Sequence, residues 1–150
     1  MVNKEIAKVL RKKGTLECTV SSENLANNSS EIRNLNLRNL GLEASDIVDI
    51  TTILEQENDA HSIRSIRFSY NQLIGDVGAT LIAKKAPSSL YEIGLVDCGI
   101  GDKGGAEILN WMRKSHALQM VCIEQNNFSD RLKMEFNLFK KENPKIIVVY

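Results

Sequence analysis

The sequence has no surplus of charge. Among its 150 residues, 19 are Lys or Arg and 19 are Asp or Glu. A generic nucleic-acid binder carries a basic excess, so that class of partner is set aside. Long hydrophobic runs are missing too. No stretch approaches the roughly 20 apolar residues that cross a bilayer, and no membrane partner is expected. The opening residues Met1-Val2-Asn3-Lys4-Glu5 carry charge beside a short apolar stripe. They lack the continuous apolar segment of a secretory signal, and none is expected. Cysteine is sparse. Cys18, Cys98 and Cys122 are an odd number without a C-x-x-C spacing, which makes neither a disulfide framework nor a zinc site. The expectation is reduced, buried thiols in a reducing, cytoplasmic setting. The N-x-S triplets that begin at Asn27, Asn28 and Asn127 are then accidental as glycosylation signals. What remains, 43% apolar and 25% charged, is one ordinary folded domain.

A frame of apolar positions recurs along the chain. It runs apolar, two any, apolar, one any, apolar, two any, Asn or Cys, one any, apolar. It fits at Ile32, Leu35, Leu37, Leu40 and Leu42, and again at Ile63, Ile66, Phe68, Asn71 and Leu73. It returns at Leu90, Ile93, Leu95, Cys98 and Ile100, and at Leu118, Val121, Ile123, Asn126 and Phe128. Ile146 and Val149 begin a truncated copy, and the starts are 31, 27, 28 and 28 residues apart.

This frame resembles the leucine-rich repeat, and its period is similar to that of the ribonuclease-inhibitor class. Gly75-Asp76-Val77-Gly78-Ala79 and Gly101-Asp102-Lys103-Gly104-Gly105-Ala106 stand at equivalent places and look like that class's loop into its helix. The resemblance covers about residues 32–150 and implies an α/β fold: a short solenoid with a parallel sheet on the concave side and helices on the convex side. Three segments of one domain are expected: 1–31 as a capping helix and loop, 32–145 as repeats, and 146–150 as a closing strand.

The chemistry of each unit is legible without the family. The apolar–any–apolar triplet alternates with period two, which predicts a short strand with one buried face. The Asn that follows has both a donor and an acceptor for the backbone of the turn and the adjacent repeat. Cys98 fits that slot as a small residue with a weak donor; Leu40 offers no such bond, so the first repeat departs from the pattern. Apolar pairs four apart, Ile50 with Leu54 and Ile108 with Met112, predict helices, as does the stripe Leu132, Phe136 and Phe139. Asp76 and Asp102 precede their helices as expected N-caps. Pro87 and Ser88-Ser89 close the second helix. Stacked units need end caps. A helix over 3–13 with the stripe Ile6, Val9 and Leu10, stopped by Gly14, is expected to cap the start. The alternation of Leu16, Cys18 and Val20 predicts a short strand after it, and polar residues 21–30 a loop. At the far end Ile146–Tyr150 is unusually apolar for an edge strand and is a candidate for self-association.

Catalytic patterns do not assemble. Gly99-Ile100-Gly101-Asp102-Lys103-Gly104 spells G-x-G-x-x-G, with Glu124 twenty residues on, as in a dinucleotide fingerprint. Those glycines also occupy repeat-frame positions, and part of the motif recurs one repeat earlier. The repeat accounts for them. His61 and His116 are 55 residues apart with no partner at ligand spacing. An enzyme is not expected, and neither catalytic residues, a metal nor a cofactor is assigned.

Function is expected on the concave face. Its first two strands carry Arg33, Arg38, Arg64 and Arg67 and no acid; the next two carry Glu92, Asp97 and Glu124 and no base. Tyr70 and Tyr91 flank the boundary, and tyrosine is favoured in binding hot spots. Such a gradient orients a charged protein partner. These nine residues are the candidate site of a protein–protein interaction module. The alternative is a regulator of an enzyme, such as a GTPase-activating or inhibiting protein, since some proteins of the class act so. The expected setting is cytoplasmic, or a host cell's interior if the chain is a delivered bacterial effector.

Overall fold

Parallel strands cannot be joined by tight turns, so each of the first four strands is followed by a helix that returns to the starting edge. The computed structural model describes residues 1–28, 30 and 32–150. The strands are β1 (Asn34–Asn36), β2 (Ser65–Arg67), β3 (Glu92–Gly94), β4 (Met120–Cys122) and β5 (Ile147–Val149). They form one parallel sheet in chain order. The register sets Leu35, Ile66, Ile93, Val121 and Val148 side by side, and all five are buried. Helices α3 (Ala44–Gln56), α4 (Gly75–Lys85), α5 (Asp102–Lys114) and α6 (Asp130–Glu142) alternate with the strands and pack in series. Their stripes, including Ile50, Leu54, Ile108, Met112, Leu132, Phe136 and Phe139, join the strand residues in one core.

The turns after β1 and β3 are held by an asparagine of the next repeat. Asn71 Oδ1 accepts from the Leu40 and Leu42 amides, both at 2.9 Å, while its Nδ2 donates to the Leu37 and Phe68 carbonyls at 2.8 and 2.6 Å. Asn126 does the same for Cys98, Ile100, Leu95 and Ile123. Leu40 therefore needs no polar side chain: Asn71 satisfies its amide, and the Cys18 thiol donates to its carbonyl at 3.2 Å. The residue before this slot has positive φ in every repeat: Asn39 at 51°, Tyr70 at 65°, Asp97 at 49° and Gln125 at 59°. In the second repeat the last apolar position is displaced. Leu73, expected inside, is exposed, and Ile74 is buried in its place. Leu73 instead bridges Glu43 through its backbone, which turns Ile74 inward.

The two aspartates cap neighbouring helices, not their own. Asp76 Oδ1 accepts from the Gly101 and Gly104 amides at 2.8 Å each, and Asp102 Oδ1 accepts from the Ser129 amide at 2.7 Å. The G-x-G-x-x-G segment is thereby explained. The α5 N-terminus, where a phosphate would sit in a dinucleotide fold, already holds the Asp76 carboxylate. A Cβ on Gly104 would meet the Asp76 Cα at 2.9 Å and the Ala79 Cβ at 3.0 Å, so this glycine serves helix packing.

At the start, α1 (Val2–Lys13) ends on Gly14 at φ 70°. The expected strand at 16–20 and loop at 21–30 are replaced by a second helix, α2 (Leu16–Asn27). Thr15 caps it, accepting from the Cys18 amide at 3.2 Å. Cys18 and Ser22 are buried one helical turn apart while Leu16 and Val20 are exposed. Three alternating apolar residues fit a strand and a helix equally; the cap and the burial at i and i+4 favour the helix. The buried Asn3 side chain donates to the Leu25 carbonyl at the far end of α2. A 3₁₀ turn at Asn58–Ser62, not evident in the sequence, seats α1: Asp59 accepts from the Val2 amide at 3.0 Å, and the Met1 amine pairs with Glu57 at 2.9 Å. The triplets at Asn27 and Asn28, the end of the 21–30 loop and the boundary at residue 31 involve Ser29 or Glu31, which lie outside the described residues.

Candidate functional site

Side chains that point away from the core line one face of the five strands. The sheet register makes columns of them: Asn34, Ser65, Glu92, Met120 and Ile147 in one, and Asn36, Arg67, Gly94, Cys122 and Val149 in the next. The nine candidate residues fall into three rows. Arg33, Arg64 and Tyr91 lie at the strand beginnings, linked through their backbones, with the Arg64 amide donating to the Arg33 carbonyl and the Tyr91 amide to the Arg64 carbonyl, both at 2.7 Å. Arg67 and Glu92 occupy the middle. Arg38, Tyr70, Asp97 and Glu124 stand where the strands end.

Local contacts moderate the expected charge gradient. Arg67 Nε bonds Glu92 Oε1 at 3.1 Å across the β2–β3 seam, so the basic and acidic halves meet in an ion pair. Arg38 is drawn to the face of Tyr70, its guanidinium carbon 5.1 Å from the ring centroid, a cation–π contact. Arg64 spans the lower loops, donating to the His61 and Ser89 carbonyls at 3.1 and 3.2 Å. Asp97 accepts from Gln72 at 2.9 Å.

Two hollows shape the face. The smaller, about 230 Å³, lies between Arg67, Tyr70, Glu92, Cys122 and Glu124. Gly94 leaves it open, and Glu124 Oε2 is buried there without a hydrogen-bond partner. Burial, then the Glu124 and Glu92 carboxylates, push the Cys122 thiol up, which withholds the thiolate a nucleophile needs. The larger, about 650 Å³, lies beyond the strand ends and brings together Arg38, Tyr70, Asp97 and the exposed Leu73.

A third groove carries residues that periodicity did not reveal. About 610 Å³ of space separates α2 from β1, lined by Leu16 and Val20 on one side and Asn34, Asn36 and Arg38 on the other. Leu16 is 74% exposed and Val20 49%. Their spacing of four was the available sign, hidden because Cys18 between them also suits a strand. His61, in the 3₁₀ turn before β2, and His116, in the loop before β4, are exposed. Among the described residues, no group of three His, Cys, Asp or Glu comes together to hold a metal, and no helix is long and apolar enough to cross a membrane.

A leucine-rich-repeat family profile matches residues 60–83, from the loop before β2 to near the end of α4. Together with the five-strand register, this decides the architecture. The fold is that of a short leucine-rich-repeat solenoid. The solenoid is similar in fold to a solved structure of leiomodin-1 actin-binding site 2, with a TM-score of 0.67 and 18% sequence identity over 90% of this chain and 78% of that one. No curated protein matches it in sequence. The repeat architecture presents side chains from several strands on one continuous surface.

Proposed function

We propose that this leucine-rich-repeat solenoid binds a protein partner on its concave face, with the α2 groove as part of the contact. The observation that carries this reading is the continuity of the surface. Arg38 lines the groove beside α2, the hollow at the strand ends and the hollow at the β2–β3 seam. Apolar Leu16 and Val20, aromatic Tyr70 and charged Arg38 and Asp97 supply the mixture that makes interface anchors. A partner seated there meets cationic groups near β1 and β2 and acidic groups near β3 and β4, and so docks in one orientation. The helical convex side and the repeat period support placing the chain with the ribonuclease-inhibitor-like class. Three free thiols, two of them buried, suit a reducing compartment.

Affinity capture tests the reading, with wild type set against Arg64→Glu/Arg67→Glu, Leu16→Asp/Val20→Asp and the convex control Lys84→Glu. A partner retained by wild type and Lys84→Glu but lost, tenfold or more, by both concave variants is expected. Recovery of the same partners by all four proteins would overturn the concave site. The fold shared with a structure named for actin binding makes purified actin the first partner to measure directly. A panel of GTPases with phosphate-release readout separates simple binding from enzyme regulation.

A further inference from the structure

The helix layer and the sheet layer differ at α6 and β5 in a way that points to a second docking site. Three, seven and ten residues after the equivalent aspartates Asp76 and Asp102 stand Ala79 and Ala83 in α4 with Ala86 just after it, and Gly105, Leu109 and Met112 in α5. These small or apolar residues admit the next helix; Gly105, for example, abuts Leu132 and Phe128. At the same places after Asp130, α6 carries Lys133, Asn137 and Lys140, all exposed. At the positions where another helix would pack, the helix layer therefore finishes in polar side chains, with the apolar Met134 and Leu138 exposed beside them.

The sheet layer does not. Among the described residues no strand pairs with the outer edge of β5. Ile147 donates to the Gln119 carbonyl and Val149 accepts from the Ile123 amide. Parallel pairing uses alternate residues, so the Val148 amide and carbonyl face outward. Ile147 is 53% exposed and Val149 40%. An open space of about 630 Å³ runs along this edge, bounded by Lys140. A further helix laid on α6 would bury Lys133 and Lys140 at high cost. A lone strand would leave them in water at its side.

We infer that the β5 edge takes one added strand from a partner, an extended segment with apolar and acidic residues in alternation. Side chains in register with Ile147 and Val149 meet an apolar surface on the concave side. Those between them point toward α6, where Lys133 and Lys140 lack ion pairs among the described residues. Lys140 already leans over the Tyr150 ring, its amine 5.3 Å from the centroid. Strand addition is a known mode of peptide capture. A second copy of this chain suits the edge less well, because two-fold pairing of β5 would bring the Lys140 and Lys145 amines of both chains to one seam.

A labelled seven-residue peptide of alternating Glu and Val, blocked at both ends, tests this. Fluorescence anisotropy is expected to show binding, with slowed hydrogen exchange at the Val148 amide. Alternating Lys and Val should bind at least tenfold more weakly, as should the acidic peptide with Lys133→Glu/Lys140→Glu. N-methylation of one alternate set of peptide amides should abolish binding and of the other set be tolerated. Arg64→Glu/Arg67→Glu should bind the peptide unchanged, which separates this edge from the concave site. Absence of binding, equal tolerance of both methylated sets, or protection of Val148 by concentration-dependent dimerisation without peptide would overturn the inference.

Discussion

Asn71 fastens two repeats with four hydrogen bonds from a fully buried position. Replacing it by Ala leaves the Leu40 and Leu42 amides and the Leu37 and Phe68 carbonyls without those partners. Buried groups so orphaned cost about 1–3 kcal/mol each before relaxation. Asn71→Ala is expected to lose about 3 kcal/mol or more, and Asn126→Ala less because Asn126 is half-buried and water can substitute. Urea unfolding checks both values, and an Asn71 loss smaller than the Asn126 loss would contradict the assignment. The slot is visible in the sequence as Asn, Cys or Leu at one frame position. That its bonds run back to the preceding repeat is not, because local spacing says nothing about which turn lies beside it.

At the level of elements, the N-terminal helices share the core of the first repeat through Ile6 and Leu10, and Lys13 adds a polar tie, its amine meeting Asp46 at 2.7 Å at the start of α3. Its pKa lies above the ordinary lysine value, raised first by the Asp46 hydrogen bond against the opposing effect of burial. A raised lysine contributes stability that is complete below the unfolded value and fades as pH climbs through the folded one. Wild type is therefore expected to lose stability more steeply than Lys13→Met between about pH 9 and about pH 11.5, the range around lysine's reference value. Denaturant midpoints across that range measure it; parallel curves would remove the link. The Cys98 thiol, pushed up to about 11 by burial, fades with pH in the same sense in both proteins. The difference between them isolates Lys13.

For the whole molecule, order passes between nearest neighbours along the stack, so stability is greatest where a repeat has two neighbours. β2 and β3 are flanked on both sides; β5 has one paired edge, and α2 packs against α1 alone among the helices. Native-state hydrogen exchange is expected to be slowest at Ile66 and Ile93 and fastest in β5 and α2. Uniform protection would mean that the chain opens only as a unit. The elements most ready to move are then those beside the two proposed contacts, the α2 groove and the β5 edge.

The apolar frame determined the strands, their spacing and the core they share, because a period-two triplet that returns every 27 to 31 residues can bury its inner face only against copies of itself. The alignment of Leu35, Ile66, Ile93 and Val121 followed from that requirement alone. The helices after them were equally legible, since their stripes were long enough to show a helical period. Tertiary structure decided the rest. It converted Leu16, Cys18 and Val20 from a strand to a helix, exchanged Leu73 for Ile74 in the core, and directed Asp76 and Asp102 to the helices of their neighbours. It also paired Arg67 with Glu92 and placed Arg38 on Tyr70, so a charge gradient drawn along the chain became a surface with its own internal contacts. Apart from the local Thr15 cap on α2, these outcomes rest on what lies across a gap between segments 20 or more residues apart, and the direction of a side chain across such a gap is set by packing and hydrogen bonding that no local pattern encodes.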